Sequence, residues 1–128
     1  MEQTVRILVV DDEPDIRNIL RILLEAKGYT VLEANNGRTA VQVVRRQPEL
    51  DLIIMDIMMP ELSGLDATRR IRRSAHPQAQ TIPIIAVTAN AFASDVRAAL
   101  DAGMNEHIAK PLDSARLYAV LQRYCGNK

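Results

Sequence analysis

Apolar and polar positions along the 128-residue chain follow two alternating rhythms. Short runs rich in β-branched residues recur at Ile7 to Val10, Thr30 to Ala34, Leu52 to Met55, Ile84 to Val87 and, more weakly, Glu106 to Ala109. Charged or turn-forming residues bound each run, as they bound strands. Between the runs, apolar positions return at helical spacing. After Asp11-Asp12-Glu13-Pro14, residues Ile16, Ile19, Leu20, Leu23 and Leu24 fall at i, i+3, i+4, i+7 and i+8 and draw one stripe down a helix, which Gly28 ends. A second helix, from about Arg38 to Arg46, buries Ala40, Val41 and Val44 and stops before Pro48. A loop containing Pro60 leads to a third near Leu65 to Arg73. The fourth starts near Ser94, with Val96, Ala99 and Leu100 inward and Gly103 as its C-terminal cap. Asp113 or Ser114 caps a fifth that buries Leu117, Val120, Leu121 and Tyr124.

This alternation, with no linker or low-complexity segment, predicts one domain over residues 1–128 in the α/β class, a doubly wound five-stranded parallel sheet with five helices. With right-handed crossovers and the flavodoxin-like order 2-1-3-4-5, strands one and three are neighbours. The carboxyl ends of all strands then share one rim, where such sheets bind ligands. That rim collects Asp11 and Asp12 from strand one, Asp56 from strand three, Thr88 from strand four and Lys110 from strand five.

Taken singly, each has an ordinary structural role. Asp11 or Asp12 ahead of Pro14 suits a helix start, and threonine suits a strand end. Together they differ. Three clustered carboxylates resist full ionisation unless a cation joins them, and all-oxygen hard ligands select Mg2+, with Mn2+ as the second choice. A carboxylate beside an open metal, with a lysine point charge and a hydroxyl donor, is equipped for phosphoryl transfer onto the carboxylate itself.

Composition narrows the field. Sixteen basic and sixteen acidic residues cancel, and aromatics are 3%, so neither a phosphate-gathering field nor a stacking platform for nucleic acid is present. Arg69, Arg70, Arg72 and Arg73 read as a solvated helix end. The single cysteine, Cys125, reads as an incidental reduced thiol. No apolar run exceeds five residues, and Met1 to Thr4 carry no basic segment leading into a signal core, so the expectation is a cytoplasmic chain without membrane contact.

With these residues in view, the chain resembles a response-regulator receiver domain of two-component signalling over nearly its whole length. The resemblance rests on Asp11-Asp12, on Asp56-Ile57-Met58-Met59-Pro60 with Gly64 four residues further on, on Thr88-Ala89 and on Lys110-Pro111. It implies that Asp56 accepts a phosphoryl group, while Asp12 chiefly, with Asp11, Asp56 and the Met58 carbonyl, holds Mg2+. Thr88, the Ala89 amide and Lys110 would hold the phosphoryl oxygens. The implied donor is a phosphohistidine on a histidine kinase or a histidine phosphotransfer protein, and the receiver is a phosphoacceptor rather than an enzyme, acting as a monomer or weak dimer. A cis Lys110-Pro111 bond is also implied. So is a switch in which Thr88 moves and a strand-five aromatic rotates, remodelling the face of helix four, strand five and helix five. Here the chain departs from the pattern, because His107 stands where Tyr or Phe is usual, and an imidazole would add pH sensitivity to that face. Met58 and Asn90 occupy the two variable positions that tune acyl-phosphate hydrolysis in the family. The segment from Thr88 to Lys110 is most similar to receivers of hybrid sensor histidine kinases.

Three other readings fit less well. A haloacid-dehalogenase-like phosphohydrolase needs a second acid two residues past the nucleophile, where Met58 stands. A nucleotide or flavin module needs glycines or hydroxyls in the first turn, which instead carries Asp11, Asp12, Glu13 and Asp15. An inert receiver-like binding module would not need every chemical position filled.

Overall fold

The computed structural model describes residues 4–89 and 93–126. In chain order the elements are β1 (Arg6–Val10), α1 (Pro14–Glu25), β2 (Thr30–Ala34), α2 (Gly37–Arg46), β3 (Leu52–Asp56), α3 (Gly64–Arg72), β4 (Ile84–Thr88), α4 (Ala93–Ala102), β5 (Glu106–Ala109) and α5 (Ser114–Cys125). All strand pairs are parallel and the order is β2-β1-β3-β4-β5. The predicted fold class and strand order are those observed. Among the described residues, no helix is long and apolar enough to cross a membrane.

β3 and β4 are buried along their whole length because helices cover both faces, and such strands read as unbroken apolar runs rather than alternations. The pleat divides their side chains. Leu8, Val10, Ile53, Met55, Ile84 and Ala86 pack with Ala40, Val41 and Val44 of α2, Ala67 and Ile71 of α3 and Ala99 of α4. Ile7, Val9, Leu52, Ile54, Ile85, Val87 and Ile108 pack with Leu20 and Leu24 of α1 and Leu117, Val120 and Leu121 of α5.

Helix ends follow local chemistry. Asn36, Ser63 and Asp113 accept from the Thr39, Asp66 and Ala115 amides respectively. Gly28 (φ +87°) and Gly103 (φ +109°) take the left-handed turns after α1 and α4, where Tyr29 N–H donates to Leu24 O and Met104 N–H to Ala99 O.

Four expectations are corrected. Neither Asp11 nor Asp12 caps α1: Glu13 is the N-cap without a side-chain cap bond, and the Asp11 carboxylate instead accepts from the Glu13 amide at 2.9 Å. Ile19 is 44% exposed, since α1 touches the sheet along Leu20 and Leu24 and Ile19 lies about 100° round the helix from Leu20. Leu100 is exposed beside buried Ala99 for the same reason. Arg72 is no solvated helix end. Its guanidinium donates to the carbonyls of Gly103 (2.7 and 3.1 Å), Ile82 (2.8 Å) and Ala79 (3.0 Å) and to Asn105 Oδ1 (2.9 Å), tying α3 to the loops before β4 and β5. The Lys110–Pro111 bond is cis, as expected.

Candidate functional site

Parallel register brings the strand ends to one rim. β1 and β3 are adjacent, and Asp56, the last residue of β3, pairs with Val87, one residue before Thr88. Asp11 directly follows β1 and is fixed by its amide, which donates to Ala34 O at 3.2 Å. Asp11 and Asp56 are almost wholly buried, whereas Asp12 is exposed. One carboxylate oxygen from each of the three lies within 4.8 Å of the others.

Lys110 reaches into this cluster from the end of β5. Its ammonium lies 3.5 Å from Asp11 Oδ2, 3.6 Å from Asp56 Oδ2 and 3.5 Å from Glu13 Oε1. These separations mark ion pairs at the edge of hydrogen-bonding range, and buried Asp11 Oδ2 receives no hydrogen bond. Asp56 Oδ1 accepts from the Met58 amide at 3.2 Å. The loop after β3 closes through Gly64, whose N–H donates to Ile57 O at 2.9 Å. A Cβ on Gly64 would stand 2.2 Å from the Asp56 carbonyl oxygen, so only glycine allows α3 to start so close to the strand end.

Electrostatics follow from crowding in a desolvated place. Burial, then the neighbouring Asp11 charge, pushes the Asp56 carboxyl from about 3.8 up to about 6, although Lys110 and the Met58 amide oppose the rise. Burial likewise raises Asp11 against the Glu13 amide and Lys110. For Lys110, burial acts downward, but the charges of Asp56, Asp11 and Glu13 outweigh it and raise its pKa. Two buried carboxylates with elevated proton affinity, one buried oxygen without a donor and a third acid alongside form a donor set that suits a hard divalent cation such as Mg2+.

Of the residues singled out in the sequence, Asp11, Asp12, Asp56 and Lys110 meet in one cluster. Thr88 is buried at the end of β4, with its carbonyl accepting from the Lys110 amide at 2.8 Å, and Ala89 follows it, exposed. The Met58 side chain is 74% exposed at the rim. Half-buried His107 sits three residues before Lys110, opposite Ala86 of β4, and is not a member of the carboxylate cluster. Asn90 lies outside the described residues. Sequence reasoning missed Glu13 as a partner of Lys110, having read it only as part of a helix start. It also missed Arg17, whose guanidinium holds the Asp11 carbonyl at 2.7 Å.

Comparison with known proteins agrees with this geometry. Residues 7–122 match the response regulator receiver domain family. The CAI-1 autoinducer sensor kinase/phosphatase CqsS of Vibrio cholerae is 44% identical over 108 residues, covering 84% of this chain, although the chain spans only 16% of that protein's length. The receiver domain of the sensor histidine kinase PA1611 from Pseudomonas aeruginosa, whose crystal structure has a magnesium ion coordinated in the active site cleft, superposes with a TM-score of 0.87 at 40% identity, covering 97% of this chain and 99% of that one. The receiver domain of Ssk1 from Saccharomyces cerevisiae, crystallised with the histidine phosphotransfer protein Ypd1, gives a TM-score of 0.85 at 27% identity, covering 97% of this chain and 90% of that one. The chain therefore belongs to the response regulator receiver domain family.

Proposed function

We propose that the domain takes a phosphoryl group onto Asp56 from a phosphohistidine and passes the signal on through the face of α4, β5 and α5. The observation that carries this reading is a buried aspartate at a strand end, 3.6 Å from a lysine ammonium and within a three-carboxylate cluster. Asp11, Asp12, Asp56 and the Met58 carbonyl are the groups that would hold Mg2+. Bound there, Mg2+ supplies positive charge to non-bridging phosphoryl oxygens and keeps the carboxylates ionised. The oxygen donors suit Mn2+ as well, and the magnesium in the PA1611 receiver favours Mg2+.

One Asp56 oxygen attacks phosphorus, the phosphorus–nitrogen bond breaks, and the imidazole nitrogen leaves with the electron pair and takes a proton. Lys110, Thr88 and the Ala89 amide stabilise charge on the transferred group. Asp56 is consumed in each event, so the domain acts as a phosphoacceptor and not as an enzyme. The partner is a histidine kinase or a histidine phosphotransfer protein, as Ypd1 is for the Ssk1 receiver. Likeness to CqsS and to the PA1611 receiver supports a place in hybrid-kinase relays, and we assign the domain to the cytoplasm. On this reading His107 of β5 and Thr88 of β4 are the switch residues.

Incubation with a small acyl phosphate with and without Mg2+, followed by intact-mass measurement, tests the proposal. A single Mg2+-dependent phosphoryl adduct in the wild type, missing from Asp56→Asn, is the expected result. Turnover of phosphate monoesters would support the phosphohydrolase instead, and no adduct would support the inert binding module.

Met58 bears on the adduct's lifetime. Its exposed thioether gives an attacking water no hydrogen-bonding help. Met58→Glu is expected to shorten the lifetime about two- to tenfold, a fraction of what a well-placed general base contributes. Unchanged decay of purified phosphoprotein would discard this role.

A further inference from the structure

We propose that Arg17 is the positioning residue that sets the cation affinity of the aspartate cluster, by fixing the Asp11–Asp12 peptide from outside the cluster. The inference rests on the phosphoacceptor reading of that site. Arg17 lies one turn into α1, and its guanidinium spans two attachments: one nitrogen donates to the Asp11 carbonyl at 2.7 Å and Nε donates to Glu33 Oε1 at 3.0 Å. Glu33 belongs to β2, so the guanidinium connects the neighbouring strand to the peptide joining two of the three acids. Arg21 steadies Glu33 from the other side, with Nε donating to Oε2 at 2.8 Å, but does not touch Asp11. Arg21, then Arg17, hold the Glu33 carboxyl below the usual carboxylate range although burial opposes them.

Such a strut matters because Asp11 is held at Oδ1 by the Glu13 amide at 2.9 Å while its Oδ2 receives no hydrogen bond, and Asp12 is exposed, so the position of the peptide between them bears on where both carboxylates point. A planar guanidinium suits this task, since its donors are fixed relative to one another whereas an ammonium offers a single point charge. Removal should leave the fold intact. Arg17, Glu33, Ala34, Asn35 and Thr39 line an open hollow of about 320 Å³, so truncation enlarges a solvent-filled space instead of opening a void in the core.

Electrostatics alone predicts the opposite sign. Deleting a positive charge beside a cation site should tighten cation binding, so a loss of affinity in Arg17→Met can come only from lost positioning.

Calorimetric titration with Mg2+ of the wild type, Arg17→Met, Arg17→Lys and Arg21→Met tests the strut, with thermal unfolding of each variant recorded alongside. Arg17→Met should weaken Mg2+ binding about tenfold, Arg17→Lys by less, and Arg21→Met by no more than about twofold. Phosphorylation of Arg17→Met should return close to the wild-type rate once Mg2+ is saturating. Equal affinity of Arg17→Met and the wild type, or an equal loss in Arg21→Met, would overturn the strut while leaving the phosphoacceptor reading in place. Failure of the wild type itself to take up Mg2+ would overturn both.

Discussion

Asp56→Asn is expected to make the domain more stable in magnesium-free buffer at pH 7, by about 1–3 kcal/mol, even though it removes the phosphoacceptor. Folding raises the Asp56 pKa from about 3.8 to about 6, so between these values the folded state binds more protons than the unfolded chain. Stability contributed by this group is therefore fully present below the unfolded pKa and is lost as pH rises through the folded one. About two pKa units at about 1.4 kcal/mol each set the upper end of the penalty at pH 7. Asparagine has the shape of the protonated acid and carries no charge to be desolvated, and Lys110 keeps Asp11 and Glu13 as partners. The informative quantity is the difference between the two proteins in urea melts at several pH values. It should be small near pH 4, open across pH 4–6 and level off above that. Saturating Mg2+ should narrow it by favouring ionised Asp56 in the wild type. Equal stability of both proteins at pH 7, or a gap that shrinks with rising pH, would show that the aspartate cluster is not strained by its own charge.

How much of this was legible in the chain depended on whether the physics was local or long-range. Ile53, Ile54 and Met55 announce a buried strand through composition, and Pro48, Gly28 and Gly103 punctuate helices through backbone restriction. Once strand order is fixed by right-handed crossovers, any polar residue at a strand's carboxyl end falls on the common rim, which is why Asp56 and Lys110 could be placed without coordinates. Long guanidinium side chains escape such reasoning. Arg72 looks like one of several surface arginines until the loops before β4 and β5 are seen to aim their carbonyls at it. Arg17 is likewise ordinary until α1 docks against β2. Ile19 and Leu100 failed for another reason: a helix on a twisted sheet makes a narrower contact than the full apolar stripe suggests. The helix-start reading of Asp11 was half informative, because its carboxylate does bind a nearby amide, that of Glu13, but inside the site and not as a cap.

Gly64→Ala should be the most disruptive single-methyl change in the molecule's upper rim. The added Cβ would meet the Asp56 carbonyl oxygen at 2.2 Å and the Asp56 carbonyl carbon and Ile57 Cα at 3.0 Å. All three belong to backbone and cannot rotate aside. Relief requires either that α3 retreat, weakening the Gly64 N–H bond to Ile57 O and the Thr68 hydroxyl bond to Gly64 O, or that the end of β3 move and carry Asp56 with it. Overpacking against immovable backbone places the cost at the high end, about 3–4 kcal/mol. A displacement of the acceptor should also slow phosphorylation at saturating Mg2+ at least about tenfold, because attack needs its geometry held to within a fraction of an ångström. Gly28→Ala provides the contrast: its Cβ meets nothing within 4 Å, and the only penalty is a left-handed φ of +87°, about 1–2 kcal/mol, with no effect on phosphorylation because Gly28 lies at the opposite end of α1. Urea melts and acyl-phosphate labelling of both variants decide the matter. If Gly64→Ala proves no less stable than Gly28→Ala and labels at the wild-type rate, the close approach of α3 to the Asp56 peptide does not position the acceptor.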